Sequence, residues 1–230
     1  MKLLMGMLTA PLLVAFVTWL SLDTIGSGTA RFDRALDELD HIAHIEADLH
    51  RDVLSARAGL LRNYDPLVHE TDVLQASVAE LRASMADDAA ATAAIDRLAA
   101  SLTRQEDRVE HFKSVNALLQ NSLSYFAMFS ASLTTPVQDS PLAGAVSMLA
   151  TAMLRLTLDT SPATAAVVQM RLQRLAQFVP PNGFHPVKAL LAHGRLLHHL
   201  LPTADGMIRS LCATPSDSEL AAIRTIIVAR

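Results

Sequence analysis

Glu110-His111-Phe112-Lys113-Ser114-Val115-Asn116-Ala117-Leu118-Leu119-Gln120-Asn121-Ser122-Leu123-Ser124-Tyr125-Phe126 decides the fold, because it joins an apolar seam to a dense polar face. In steps of three and four the seam reads Ile95, Leu98, Leu102, Gln105, Val109, Phe112, Asn116, Leu119, Leu123, Phe126. That spacing is the heptad-like stripe of a helix packed in a bundle. Only Gln105 and Asn116 interrupt it. A buried Asn without partners costs about 1–3 kcal/mol. In one reading Asn116 fixes bundle register, while Lys113 and Asn121 are solvated. In the other, Lys113, Asn116, Asn121 and Tyr125 line a polar pocket.

The segments on either side are helical too. The stretch before it has the seam Ala35, Leu39, Ile42, Glu46, Leu49, Val53, Ala56, Leu60. A helix from Ala30 to Asn63 would be about 50 Å long at about 1.5 Å per residue. Pro66 turns the chain at Arg62-Asn63-Tyr64-Asp65, with Asp65 as cap of the next helix and Pro66 at its first position. The second helix is predicted to run to Met85, with Leu67, Val68, Val73 or Leu74, Val78 and Leu81 inward. Asp87-Asp88 cap a third, which contains the opening stretch and continues to about Leu133. Pro136 and Pro141 mark the clearest internal break. Further helices are predicted at 141–157, 162–178 and 186–201, then a short one at 204–211 after Pro202. Gly194 in mid-helix implies a close helix crossing. A last helix, begun by Ser216 or Ser218, is still in stride at Arg230, and the chain is expected to be the front part of something longer. No region alternates like a strand.

The composition agrees. Apolar residues make up 51% and aromatics 4% of 230 residues, a Leu- and Ala-rich mixture that favours an all-α chain. A net charge of −4, with no basic patch, argues against a nucleic-acid partner. Cys212 is alone, so no intramolecular disulfide and no Cys-based zinc site can form. Leu3 to Leu22 has no charged side chain and is long enough to span a bilayer, with Trp19 at the far interface. The alternative is a cleaved signal peptide with Gly28-Thr29-Ala30 as a weak cleavage site. An uncleaved anchor with Lys2 inside would put everything after residue 23 outside the cytoplasm.

Catalytic and metal motifs are not apparent. His185, His193, His198 and His199 lack the i, i+4 spacing of a helical two-histidine site. No nucleophile elbow or Gly-rich phosphate loop occurs. Met148, Met153 and Met170 read as core filling. Neither a catalytic residue, a metal ligand nor a cofactor is expected.

Three stretches carry a family resemblance: Asp52 to Val68 with its Arg62-Asn63-Tyr64-Asp65-Pro66 corner, Phe112 to Phe126, and more weakly His193-Gly194-Arg195. Over about residues 30–230 the chain resembles the DAHL domain, an all-helical double-bundle sensor domain of bacterial membrane signalling proteins, commonly histidine kinases. The resemblance implies a periplasmic domain between two transmembrane helices that passes a ligand signal inward. No second transmembrane helix, HAMP segment, kinase or receiver follows in this sequence. If the corner meets the long third helix, Arg57, Arg62, Asn63 and Tyr64 approach Lys113, Asn116, Asn121 and Tyr125. Cations among amides and phenols suit a small polar or anionic ligand. The competing reading is a network in which Glu110, Asp65 and Glu46 neutralise those cations.

The resulting expectation is an all-α chain with an N-terminal transmembrane helix (1–23), then long helices forming two bundles within 30–230. The bundles are expected at about 30–133 and 134–215, with a truncated last helix at 216–230. It would sit in a bacterial inner membrane, facing the periplasm. Its partners would be the ligand, the membrane and a second copy through the long helices. The rival readings are a non-sensing scaffold, which would show an exposed apolar stripe, and an enzyme, which would need a catalytic cleft.

Overall fold

The structure, a computed structural model, describes the backbone of residues 2–134, 140–179, 185–213 and 216–229, with side chains from residue 30 onward. Among the described residues there are seven helices and no strand: α1 (Lys2–Arg57), α2 (Asp65–Ser84), α3 (Ala89–Thr134), α4 (Pro141–Leu158), α5 (Pro162–Ala176), α6 (Pro186–Cys212) and α7 (Ser216–Val228). Leu3–Leu22 falls within α1, and its side chains lie outside the described residues. Among those described, one helix, α4, is long and apolar enough to cross a membrane. Its buried residues Val146, Leu149, Met153 and Leu156 belong to a protein core.

Two helix courses differ most from the sequence expectation. α1 stops at Arg57, before the predicted Asn63. Gly59 has φ +75°, which only glycine adopts cheaply. Its N–H donates to the Ala56 carbonyl at 3.1 Å, and the Leu60 N–H donates to the Ser55 carbonyl at 2.9 Å. This is the paired closure of a Schellman end. Leu60, expected on the seam, is therefore thrown outward and is 81% exposed. The second correction is α6, which continues through Pro202 where a break was expected. A proline inside a helix costs about 3 kcal/mol. Burial of Leu197, Leu200, Leu201, Ala204, Ile208 and Leu211 along one face offsets that cost. The Thr203 hydroxyl donates to the His199 carbonyl at 2.8 Å, one turn before it.

The chain forms two compact units. Unit 1 comprises Met1–Asp48, Glu70–Thr103 and Pro215–Arg230; unit 2 comprises Leu49–His69 and Arg104–Thr214. This partition differs from the expected 30–133 and 134–215, because α1 and α3 each contribute to both units and α7 joins unit 1. In unit 1 the buried side chains include Leu39 and Ile42 of α1, Leu81 of α2, Met85 just after it, Ile95 and Leu98 of α3, and Ile223 of α7. Arg82 pairs with Asp96 at 3.1 Å, and Arg224 with Asp40. Val68, predicted inward, is 38% exposed, whereas Leu74 is buried.

In unit 2, Leu119 and Phe126 of α3 enter one core with α4, α5 and α6. A Cβ on Gly194 would lie 2.8 Å from Leu172 Cδ2 and 3.4 Å from Phe126 Cε2, so the close crossing read from the sequence is present. The α4–α5 loop is held by Asp159. Its carboxylate accepts from the Thr164 hydroxyl at 2.7 Å, the Ser161 N–H at 3.0 Å and the Ser161 hydroxyl at 3.0 Å. The Thr164 bond first, then the Ser161 bonds, hold the Asp159 carboxyl below its ordinary value. A carboxyl lowered by folding contributes stability above its unfolded value, about 3.9, and that contribution is lost as pH falls through the folded value. The melting temperature of Asp159→Asn should therefore lie below wild type at pH 6, with the gap closing below about pH 4. An equal gap at pH 6 and pH 3 would show that the carboxylate charge is irrelevant.

Candidate functional site

α1 ends in a buried place, and that decides the roles of the polar residues facing it on α3. The last carbonyls of any helix lack intrahelical partners. Asn116, 0% exposed, donates from Nδ2 to the Ala56 carbonyl at 2.9 Å and to the Tyr64 hydroxyl oxygen at 3.1 Å. Gln120, one turn further along, donates from Nε2 to the Arg57 carbonyl at 3.1 Å. Asn116, which interrupts the apolar seam, and Gln120, which lies beside it, thus hold the end of a neighbouring helix. Asn116 Oδ1 is buried without a protein partner.

The α1–α2 corner and α3 enclose a cleft of about 550 Å³. Its walls are Gly59, Leu61, Arg62 and Tyr64 from the corner, and Ala117, Gln120, Asn121 and Ser124 from α3. On α3 these residues recur at i, i+3, i+4 and i+7, one helical face. The Tyr64 oxygen already accepts from Asn116, so its O–H hydrogen remains to donate. Ser124 donates its hydrogen to the Gln120 carbonyl at 3.1 Å and offers its oxygen as an acceptor. Arg62 is exposed and makes no ion pair with any described residue.

Of the eight residues singled out from the sequence, Arg62, Tyr64 and Asn121 line this cleft, and Asn116 braces Tyr64 behind it. The other four are engaged elsewhere. Of the residues expected around one cavity (Arg57, Asn63, Tyr64, Lys113, Asn116 and Asn121), Arg57, Asn63 and Lys113 do not line this cleft. Arg57 turns to α6, where its Nε donates to Asp205 Oδ1 at 2.9 Å. Lys113 pairs with Glu110 of its own helix at 2.5 Å, as the network reading expected. Asn63 closes the start of α2: its Oδ1 accepts from the Asp65 N–H at 3.0 Å, and its Nδ2 donates to Asp65 Oδ2 at 2.6 Å. Asp65 is thus the first residue of α2 and not its cap; the Tyr64 carbonyl takes the Val68 N–H at 3.2 Å. Tyr125 stacks on His193, with centroids 5.0 Å apart and ring planes 17° apart.

The sequence reading passed over Gln120, Ser124, Gly59 and Asp205. A four-residue polar rhythm, Asn116, Gln120, Ser124, was there to be read. So was Asp205, the lone acid within α6. Its second oxygen accepts from the Thr160 hydroxyl at 2.9 Å, tying the α4–α5 loop to the same carboxylate. The histidines have structural duties: His185 Nδ1 accepts from the Val187 N–H at 3.2 Å, and His198 Nε2 lies 3.0 Å from the Ala165 carbonyl. Among the described residues no group of His, Cys, Asp and Glu could hold a metal ion.

The described residues form an all-helical domain with a polar cleft at the end of a long helix. The family can be named directly: the DAHL-domain model matches residues 27–230, nearly the whole chain, and the protein belongs to that family. Membership points to a helical sensor domain of signalling proteins. No solved structure matches the chain.

Proposed function

We propose that the protein is the extracytoplasmic sensor domain of a bacterial membrane signalling protein of the histidine-kinase type, anchored by Leu3–Leu22, and that it binds a small polar carboxylate in the α1–α2 corner cleft. The observation that carries the reading is the pairing of groups there. Arg62 supplies a cation without a carboxylate partner among the described residues, and Tyr64 supplies a free phenolic hydrogen. Arg57 and Lys113 are already neutralised by Asp205 and Glu110. A ligand carboxylate would accept from Arg62 and Tyr64, while its remaining polar groups would meet Asn121 and the Ser124 oxygen. The role is binding, not catalysis.

The signal would be a shift of the corner, and with it α1, against α3. Such a shift requires the ligand to prefer one helix position over the other. The cleft uses residues of both elements, so its occupancy is sensitive to their spacing. Transmission toward the membrane would run along α1, and homodimerisation through the long helices belongs to the same proposal.

Binding stabilises the folded state by mass action. In a panel of small carboxylates, hydroxycarboxylates and neutral analogues, at least one carboxylate should raise the melting temperature, and neutral analogues should not. Arg62→Ala should weaken that carboxylate by tenfold or more, since a hydrogen bond to a charged group contributes about 1.5–3 kcal/mol. Calorimetric titration checks it; equal affinity in the variant would refute the site.

A further inference from the structure

We propose that the outer face of the α4–α5 hairpin in unit 2 is a docking groove for an acidic amphipathic helix of a partner protein. The proposal is independent of the corner cleft. It begins from a failed expectation: Met148 and Met170, read as core residues, are 55% and 57% exposed. Leu154, Leu158 and Val167 are exposed with them, at 63%, 84% and 40%. All five lie on one hairpin whose helices are joined by the three residues 159–161. Its inner face is already buried in the core through Val146, Leu149, Leu156, Val168 and Leu172. Packing within the unit therefore leaves the outer residues uncovered.

The groove lies between the two helices and holds about 320 Å³. Met148, Ala152 and Val167 supply its apolar surface, and Arg155 and Arg171 line it from either helix. Arg171 Nη1 rests 3.5 Å from Met148 Sδ, so the guanidinium and the thioether share one wall. Met and Arg are enriched at protein interfaces, Met because it adapts to the shape it meets and Arg because its fork of donors matches a carboxylate.

Charge selects the occupant. α4 and α5 contain no Asp or Glu. Neither Arg155 nor Arg171 has a carboxylate partner among the described residues. Two cations beside a trough whose apolar surface comes from Met148, Ala152 and Val167, with Ser147 and Thr151 among them, call for carboxylates arriving with an apolar ridge. An amphipathic helix with Leu at i, i+3, i+4 and i+7 and Glu at its flanks presents both, and a trough parallel to two helices receives a third.

The test uses the full chain and a labelled amphipathic peptide of about 18 residues, about 27 Å long as a helix, with a Leu face and Glu flanks. Fluorescence anisotropy should show saturable binding. Arg155→Glu with Arg171→Glu should weaken it at least tenfold, and a peptide with Lys in place of Glu should bind that double variant better than wild type does. Met148→Glu alone should also weaken binding. These residues are on the surface, so circular dichroism should confirm unchanged helicity. Four results would overturn the proposal: no binding of the acidic peptide; undiminished binding by the double-Glu variant; binding of phosphatidylserine vesicles but not the peptide, which would make the face a lipid contact; or a wild-type dimer in sedimentation that Met148→Glu dissociates, which would assign the face to a second copy.

Discussion

Asn116→Asp is expected to destabilise the protein by roughly 3 kcal/mol at pH 7, the lower end of the penalty for an uncompensated buried charge. The change is nearly isosteric, so packing is not the cause. Asn116 has no solvent exposure and donates to the Ala56 carbonyl and the Tyr64 hydroxyl. A carboxylate there loses the donor and sets its own charge against the carbonyl oxygen at the end of α1. Burial raises the folded-state pKa of the new carboxyl. A group whose folded pKa is raised binds more protons in the folded state, so the variant should recover stability as pH falls from 7 to 5. Once protonated, its O–H can donate to the Ala56 carbonyl in place of the lost amide. Asn116→Leu serves as the uncharged control, with a loss of about 1 kcal/mol, because Ala56 keeps the Gly59 N–H. Urea denaturation of the variants and wild type at both pH values measures this. An aspartate variant within 0.5 kcal/mol of the leucine variant at pH 7 would mean that water reaches the site (0.5 kcal/mol is about the scatter of independent effects).

Asp205→Ala is expected to cost about 2 kcal/mol, less than the 3–5 kcal/mol typical of breaking a fully buried pair. The discount reflects side-chain exposures of 15% for Arg57 and 26% for Asp205. Removing the carboxylate leaves the Arg57 guanidinium mostly buried and deprives the Thr160 hydroxyl of its acceptor. Arg57→Met should be milder, since it retains an apolar stem. Arg57→Met combined with Asp205→Leu should recover much of the loss, because no unpaired charge remains. A double-mutant cycle read by thermal and urea denaturation should give a coupling above about 1 kcal/mol; additivity within about 0.5 kcal/mol would make the pair incidental.

Three of the eight residues lining the corner cleft, Arg62, Tyr64 and Asn121, were foreshadowed by the sequence, as was Asn116 behind them; Gly59, Gln120 and Ser124 were not. The polar face of α3 identified Asn116 and Asn121, and the Pro66 corner identified Arg62 and Tyr64. Arg57 was the misleading residue. Its position beside Ala56 allowed it to reach an interior, but periodicity says nothing about which interior, and the carboxylate that claimed it lies 148 residues away. Lys113 was claimed by Glu110 one turn earlier on the same helix, a pairing that i, i+3 spacing makes available to any sequence reader.

Helicity and inward faces were decided locally. The seam from Ile95 to Phe126 is buried at every position but the half-buried Leu123, because the 3.6-residue period dictates which side chains share a stripe. The sequence alone therefore determined the all-α class, the buried stripes and most of the breaks. Tertiary structure alone decided that α6 runs through Pro202, that α1 and α3 each serve two units, and that Met148 and Met170 face outward. The physical reason is common to all three. A stripe specifies that a helix must bury one face, but the free energy of burial depends on which neighbour covers it, and that neighbour is set by contacts distant in the chain.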